Sequence, residues 1–201
     1  ASPRTQSALL EALSEGQVSA DGHTHPLPAP FLCLATLNPV EMHGTFPLPE
    51  ASLDRFHVRI SLGYASLEEE VQVLCGGGGL APLDTLGPVT DREGLLHLQR
   101  AVAAVHLAPS VAGYLARLVR ASRSHPGVRL GVSLRGALQL AGLARARALS
   151  RGRGFVLPDD LRALAVPALA HRLVLDPRAA GGGLDAAAVV CELLASTPLP
   201  R

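Results

Sequence analysis

Between Arg4 and Glu15 the apolar residues Ala8, Leu9, Ala12 and Leu13 recur at the spacing of one helix face, and Gly16 follows where a helix C-cap favours glycine. A short opening helix is predicted. Asp21-Gly22 then stands between two extended stretches, a strong short-range hairpin signal. The run FLCLAT, Phe31 to Thr36, reads as the apolar strand of a parallel sheet covered on both faces, ending at Asn38-Pro39. After a loop with Gly44, Pro47 and Pro49, ASLDRF predicts a short helix and FHVRISLGY alternates like a further strand.

Beyond Ser66 the pattern is helical only. Ser66 with Glu69 and Thr90 with Glu93 have capping-box spacing, in which each side chain satisfies an orphan backbone donor of the first turn. Further helices are predicted near Pro109–Ser124, Ser133–Ser150, Pro158–Leu173 and Leu184–Ser196. The glycine runs in CGGGGLAP (Cys75 to Pro82) and at Gly181–Gly183 read as flexible linkers. A phosphate-cradling P-loop needs GxxxxGK[ST], and the chain has no lysine.

Composition narrows the function classes. The 201 residues are 48% hydrophobic, enough for a sizeable core, and the formal net charge is only +1, so no broad basic field exists to hold nucleic acid or an anionic membrane. Arg145, Arg147, Arg151 and Arg153 make a local basic strip, but two tyrosines, four phenylalanines and no tryptophan leave little surface for base stacking. Cys33, Cys75 and Cys191 are widely spaced, which suits a reducing compartment and predicts a cytoplasmic protein. No run is apolar enough to span a bilayer, and the start at Ala1 without a signal-like segment predicts a processed or truncated N-terminus. His23 and His25 share one face of the predicted hairpin, but no third metal ligand stands out.

The stretch ATLNPVEMHGTFPLPEASLDRF, Ala35 to Phe56, resembles the MoxR family of AAA+ ATPases without gaps. SPRTQSALLEALSEGQV is similar to the helix after that family's Walker B pair, and GRGFVLPDDLRALAVPALAHRLVLDP to its late lid segment. The resemblance implies an α/β plus all-α fold: the distal half of an αβα P-loop-type core, then a helical lid bundle. Its expected division is residues 1–65 for the core part, 66–84 for the first lid helix and linker, and 85–201 for the lid.

The same resemblance assigns three site residues. Asn38 takes the place of sensor 1, where a neutral amide at a strand end can orient water against a terminal phosphate; the alternative is a turn-starting Asn-Pro pair. Arg55 takes the place of the arginine finger, whose planar cation neutralises charge on the transferred phosphoryl group of a neighbouring subunit; the alternative is an Asp54–Arg55 pair on a solvated helix end. Arg135 in GVSLRGALQL resembles sensor 2. A cation in a helix's first turn opposes the macrodipole unless an anion such as phosphate is near; the alternative is a surface arginine on an amphipathic helix.

Two departures stand out: Leu134 replaces the family's proline before this arginine, and Leu157 replaces a capping threonine before Pro158. His171 and Arg172 are expected to pack or cap the lid, without a catalytic role.

The resemblance implies an ATP-hydrolysing remodelling chaperone working as a homo-oligomeric ring, a hexamer, on partners carrying a von Willebrand A domain or in metal-cofactor insertion. ATP and Mg²⁺ require the Walker A lysine and Walker B acids, expected upstream of Ala1, so this chain alone is expected to be inactive. The alternatives are a non-catalytic interaction module lacking a P-loop and, more distantly, a helical DNA-binding regulator, against which the near-neutral charge argues.

Overall fold

The computed structural model of the chain describes residues 3–37, 49–75 and 86–200. Helix α1 (Pro3–Glu15) ends as its glycine requires: Gly16 takes φ 63° and returns its N–H to the Ala12 carbonyl at 3.1 Å. The hairpin pairs β1 (Gln17–Ala20) antiparallel with β2 (His23–Pro26), and Asp21 and Gly22 both adopt positive φ, the geometry that matches a two-residue turn to strand twist. Glu11 of α1 accepts from the Ser19 N–H at 3.1 Å and its hydroxyl at 2.5 Å, tying helix to hairpin.

The two further strands expected from the sequence are not ladder strands. Residues 31–37 and 58–66 carry no strand pairing among the described residues, and Leu34 and Leu62 are 86% and 93% exposed. A parallel strand is held by neighbours in the ladder and by helices over its faces, and the described residues provide neither. Asn38 and the segment 38–48 lie outside the described residues, as does the glycine-rich stretch 76–85.

The predicted helix at ASLDRF is one turn, α2 (Glu50–Leu53), after which Asp54 and Arg55 form a turn. α3 (Leu67–Cys75) has the expected reciprocal cap: the Ser66 N–H donates to Glu69 Oε2 at 2.8 Å and the Glu69 N–H to Ser66 Oγ at 3.3 Å. The Thr90–Glu93 cap does not form. The N-cap of α4 (Arg92–Ala104) is Asp91, whose Oδ1 accepts the Gly94 N–H at 2.7 Å, since a carboxylate one residue closer both caps and complements the helix dipole.

The remaining elements form the bundle: α5 (Pro109–Arg123), β3 (Val128–Leu130), α6 (Leu134–Ser150), α7 (Pro158–Leu169), β4 (Val174–Leu175), α8 (Pro177–Gly181) and α9 (Ala186–Ser196). α7 stops short of its predicted end, giving way to a 3₁₀ turn at Ala170–Arg172, and β4 then pairs antiparallel with β3. Gly181–Gly183 is a helix terminus and not a linker: Gly182 caps α8 and Gly183 takes φ 90°. Leu157 leaves α7 without its own side-chain cap, but Asp160 reaches back to the Leu157 N–H at 2.9 Å and Pro158 pre-sets the first turn.

α6 runs through the middle of this bundle. Its buried residues Gly136, Ala137, Ala141, Ala144 and Ala148 are small and let neighbouring helices approach closely, with Leu140 fully buried among them. Around it Tyr114, Leu118, Leu161, Leu169, Val189 and Val190 are almost fully buried, each large aliphatic contributing about 1.5–3 kcal/mol by burial. No helix among the described residues is long and apolar enough to cross a membrane.

Candidate functional site

The start of α6 is set by its approach. A Cβ on Gly131 would lie 2.7 Å from the Arg123 Cα, so only glycine lets the chain pass α5 there. Ser122 Oγ accepts the Val132 N–H at 3.0 Å, and Arg123 Nε donates to the Val132 carbonyl at 3.0 Å. Ser133 then caps α6, accepting the Gly136 N–H at 3.2 Å. Arg135 therefore stands in the first turn of α6, exposed, on the rim of an open cavity of about 380 Å³ lined also by His57, Val102, Leu138, Gln139 and Leu143.

The segment Asp54–Phe56 is stitched to this helix start. Ser133 Oγ lies 3.2 Å from both carboxylate oxygens of Asp54, and Gln139 Nε2, one turn beyond Arg135, donates to the Arg55 carbonyl at 3.4 Å. The Asp54 carboxylate also receives Arg172 Nη1 at 2.7 Å, so its ion pair is with Arg172. The side chain of Arg55 reaches α1, where Nε donates to Ser14 Oγ.

Arg172 is the centre of this joint, and it is only 6% exposed. Nε donates to the Ala168 carbonyl at 2.7 Å; Nη1 donates to the Asp54 carbonyl and carboxylate; Nη2 donates to the Phe56 carbonyl and Gln139 Oε1. A guanidinium has five N–H donors, and all are used. Burial lowers the Arg172 pKa, the Asp54 hydrogen bond and charge oppose that, and the nearby Arg135 charge lowers it further. Gly136 makes room for the side chain: a Cβ there would meet Arg172 Cδ at 3.0 Å and Val132 Cγ1 at 2.7 Å.

Two neighbours complete the seam. His171 Nε2 donates to the Phe56 carbonyl at 3.1 Å, and the Arg59 N–H donates to the Pro167 carbonyl at 2.9 Å. Burial is the largest cause lowering the His171 pKa; the hydrogen bond to the Phe56 carbonyl opposes it and the Arg172 charge adds to it. Separately, Asp160 binds Arg153 through two contacts of 2.7 and 2.8 Å, which holds its carboxyl below the usual range and fixes the start of α7.

The structure thus joins the backbone at Arg55 to the helix start that carries Arg135, while Asn38 lies outside the described residues. Sequence reasoning missed Arg172, Gln139, Ser133 and Asp54 as a unit and gave Arg172 and His171 only a packing or capping part in the lid. No local pattern announces them, because Arg172 and Asp54 are 118 residues apart. The nearest acid, Asp176, is taken up as the N-cap of α8, so the acceptors of Arg172 come from distant parts of the chain.

Among the described residues no three His, Cys, Asp or Glu side chains converge on a point that could hold a metal. Phosphate is a different matter, since Arg135 is an exposed cation at a helix N-terminus, where backbone N–H groups add to its attraction for an anion.

Comparison with known proteins bears on this geometry. Residues 1–58 match the family model of the ATPase family associated with various cellular activities (AAA), and residues 120–192 match the AAA lid domain. The uncharacterized protein YeaC of Bacillus subtilis (strain 168) is 46% identical over 99% of this chain, and Chaperone MoxR1 of Mycobacterium tuberculosis is 36% identical over 98% of it. This chain spans 62% and 54% of the length of those relatives. A solved protein from Cytophaga hutchinsonii, described as an ATPase, superposes with a TM-score of 0.91 at 32% identity, covering 100% of this chain and 63% of that one.

Proposed function

This chain belongs to the MoxR family of AAA+ ATPases, with part of the αβα core followed by the helical lid, and on that premise we propose that it carries the finger and lid of an ATP-driven remodelling chaperone. The observation that supports the reading best is the grip on Arg55. Its neighbours Asp54 and Phe56 are bound by Arg172, and its own carbonyl receives Gln139. A side chain that must meet a phosphoryl group on another subunit needs a fixed backbone, because placement sets the rate.

In this reading Arg55 neutralises charge on the transferred phosphoryl group of an adjacent subunit, and Arg135 holds nucleotide phosphate at the start of α6. Asn38 is the proposed sensor 1. ATP supplies the phosphoryl group to be transferred; the chain contains no lysine to serve a P-loop, and by itself it is proposed to be inactive. A homo-oligomeric ring, proposed as a hexamer, follows from a finger that acts in trans. Clients with a von Willebrand A domain are the proposed partner class, without nucleic acid or membrane insertion. The unbridged cysteines Cys33, Cys75 and Cys191 support a cytoplasmic location. The proposed division is residues 1–65 for the core part, 66–84 for the first lid helix and linker, and 85–201 for the lid.

The test is made in the full-length protein that contains this chain. Arg55→Ala is expected to lower ATP turnover about a thousandfold while nucleotide affinity stays within about twofold. Full turnover in that variant would remove Arg55 from the finger role, and a full-length protein without any ATPase activity would favour the non-catalytic interaction module.

A further inference from the structure

We propose that Arg172 is a positioning residue that couples the lid to the finger, presenting Arg55 in the place that the lid dictates. The inference rests on the reading of Arg55 as the finger. Three of the five acceptors of the Arg172 guanidinium, the Asp54 carbonyl, the Asp54 carboxylate and the Phe56 carbonyl, lie on the residues either side of Arg55. The other two, the Ala168 carbonyl and Gln139 Oε1, belong to α7 and α6. One buried, planar side chain therefore fixes the finger segment against two lid helices at once.

The chemistry of the joint favours coupling over mere packing. The donors of a guanidinium point in fixed directions within one plane, so a shift of either lid helix cannot be absorbed by rotating one bond; it must move the acceptors or break contacts. Gln139 carries the same relation a second time, since it accepts from Arg172 while donating to the Arg55 carbonyl. Gln139 also sits one helical turn from Arg135 on the same cavity wall. Displacement of α6 by an anion held at Arg135 is thereby transmitted to the Arg55 backbone through two shared hydrogen-bond partners. His171, on the Phe56 carbonyl, braces the same segment from the 3₁₀ turn that carries Arg172.

The experiment uses the full-length protein containing this chain, with turnover, nucleotide affinity and thermal midpoint measured for Arg172→Lys and Gln139→Met. Lysine keeps the charge but not the five-donor fork; methionine keeps the volume of Gln139 without its bridge. Arg172→Lys is expected to lower kcat about tenfold or more, with nucleotide affinity within about twofold, because the finger is misplaced and not lost. Gln139→Met is expected to lower kcat about threefold in the same selective way, and it serves alone if Arg172→Lys does not fold.

Each change is then repeated in an Arg55→Lys background, expected to keep a reduced but measurable turnover because the cation is retained. If both act through Arg55, they lower kcat there by less than about twofold, the non-additivity of residues that work as a unit. A drop as large as in the wild-type background, or a loss of nucleotide affinity that parallels kcat, overturns the coupling and leaves Arg172 a structural residue. Arg55→Ala with full turnover is a separate outcome that overturns the finger reading itself.

Discussion

The carboxylate of Asp54 and the guanidinium of Arg172 meet at 2.7 Å across 118 residues of sequence, with the arginine side chain 1% exposed and the aspartate side chain 24%. Nothing in the chain near either residue prepares the contact. It is made because α6 and α7 pack through small residues and bring the 3₁₀ turn against the end of α2. Asp54→Asn keeps the shape and one acceptor but removes the charge. It is expected to destabilise the protein by about 1.5–3 kcal/mol, the range for hydrogen bonds to charged groups. Urea denaturation checks this; a change below about 0.5 kcal/mol, typical of exposed surface substitutions, would mean the pair is solvated in solution.

Gly136 and Gly142 lie on the same helix and make opposite predictions. A Cβ at Gly136 would meet Val132 Cγ1 at 2.7 Å and Arg172 Cδ at 3.0 Å, whereas one at Gly142 meets nothing within 4 Å. Gly136→Ala is expected to destabilise by about 1–3 kcal/mol through overpacking, despite alanine's better helix propensity. Gly142→Ala is expected to stabilise by about 0.5–1 kcal/mol. Thermal unfolding of the two variants side by side decides it, and an equal gain from both would show that Arg172 does not pass α6 as described.

Stability should also fall in mildly acidic solution. The His171 pKa is lowered from 6.5, first by burial and then by Arg172, so the unfolded chain binds this proton before the folded one does. Stability is therefore full above about pH 6.5 and declines as pH falls towards the depressed folded value. His57 is shifted the same way, by partial burial first and by Arg172 second. His171→Gln keeps a donor for the Phe56 carbonyl without a titration, and denaturant melts between pH 7 and pH 5 should show a shallower decline for it. An unchanged slope would place the titration elsewhere.

A second acid-sensitive point lies at the start of α7. The Asp160 pKa is lowered from 3.8, chiefly by its hydrogen bonds to Arg153, opposed by burial and aided by the Leu157 N–H. Its contribution is present above about pH 4 and is lost as pH falls through the depressed folded value, because the unfolded carboxylate takes the proton first. Asp160→Asn is expected to lower stability at pH 7 by about 1.5–3 kcal/mol and to flatten the profile below pH 4, as read from thermal midpoints across that range. A variant that kept the wild-type acid slope would contradict the assignment.

The local elements were legible where one residue type dictates one backbone state. Asp21-Gly22 imposed its turn, Gly16 its helix end and Ser66 with Glu69 its cap. Errors arose where two local solutions compete or where a neighbour decides. Thr90 and Asp91 can both cap α4, and the carboxylate won. Gly181–Gly183 has the composition of a spacer, but glycine also ends helices, and here Gly182 caps α8 and Gly183 takes positive φ. FLCLAT has the composition of a buried strand, but a ladder also needs a partner strand, and the described residues do not supply one.

By itself the sequence determined the helical second half, the hairpin, the Ser66–Glu69 cap and, through the resemblances carried by Ala35 to Phe56 and by GVSLRGALQL, the family, with Asn38, Arg55 and Arg135 as site residues to test. Those depend on periodicity and on short-range chemistry, which act over a few residues. The tertiary structure alone decided that Asp54 pairs with Arg172, that Gln139 links Arg172 to the Arg55 carbonyl, and that Gly136 is glycine to let an arginine through. A buried guanidinium must satisfy all its donors, and which acceptors it finds is settled only when helices distant in sequence close around it.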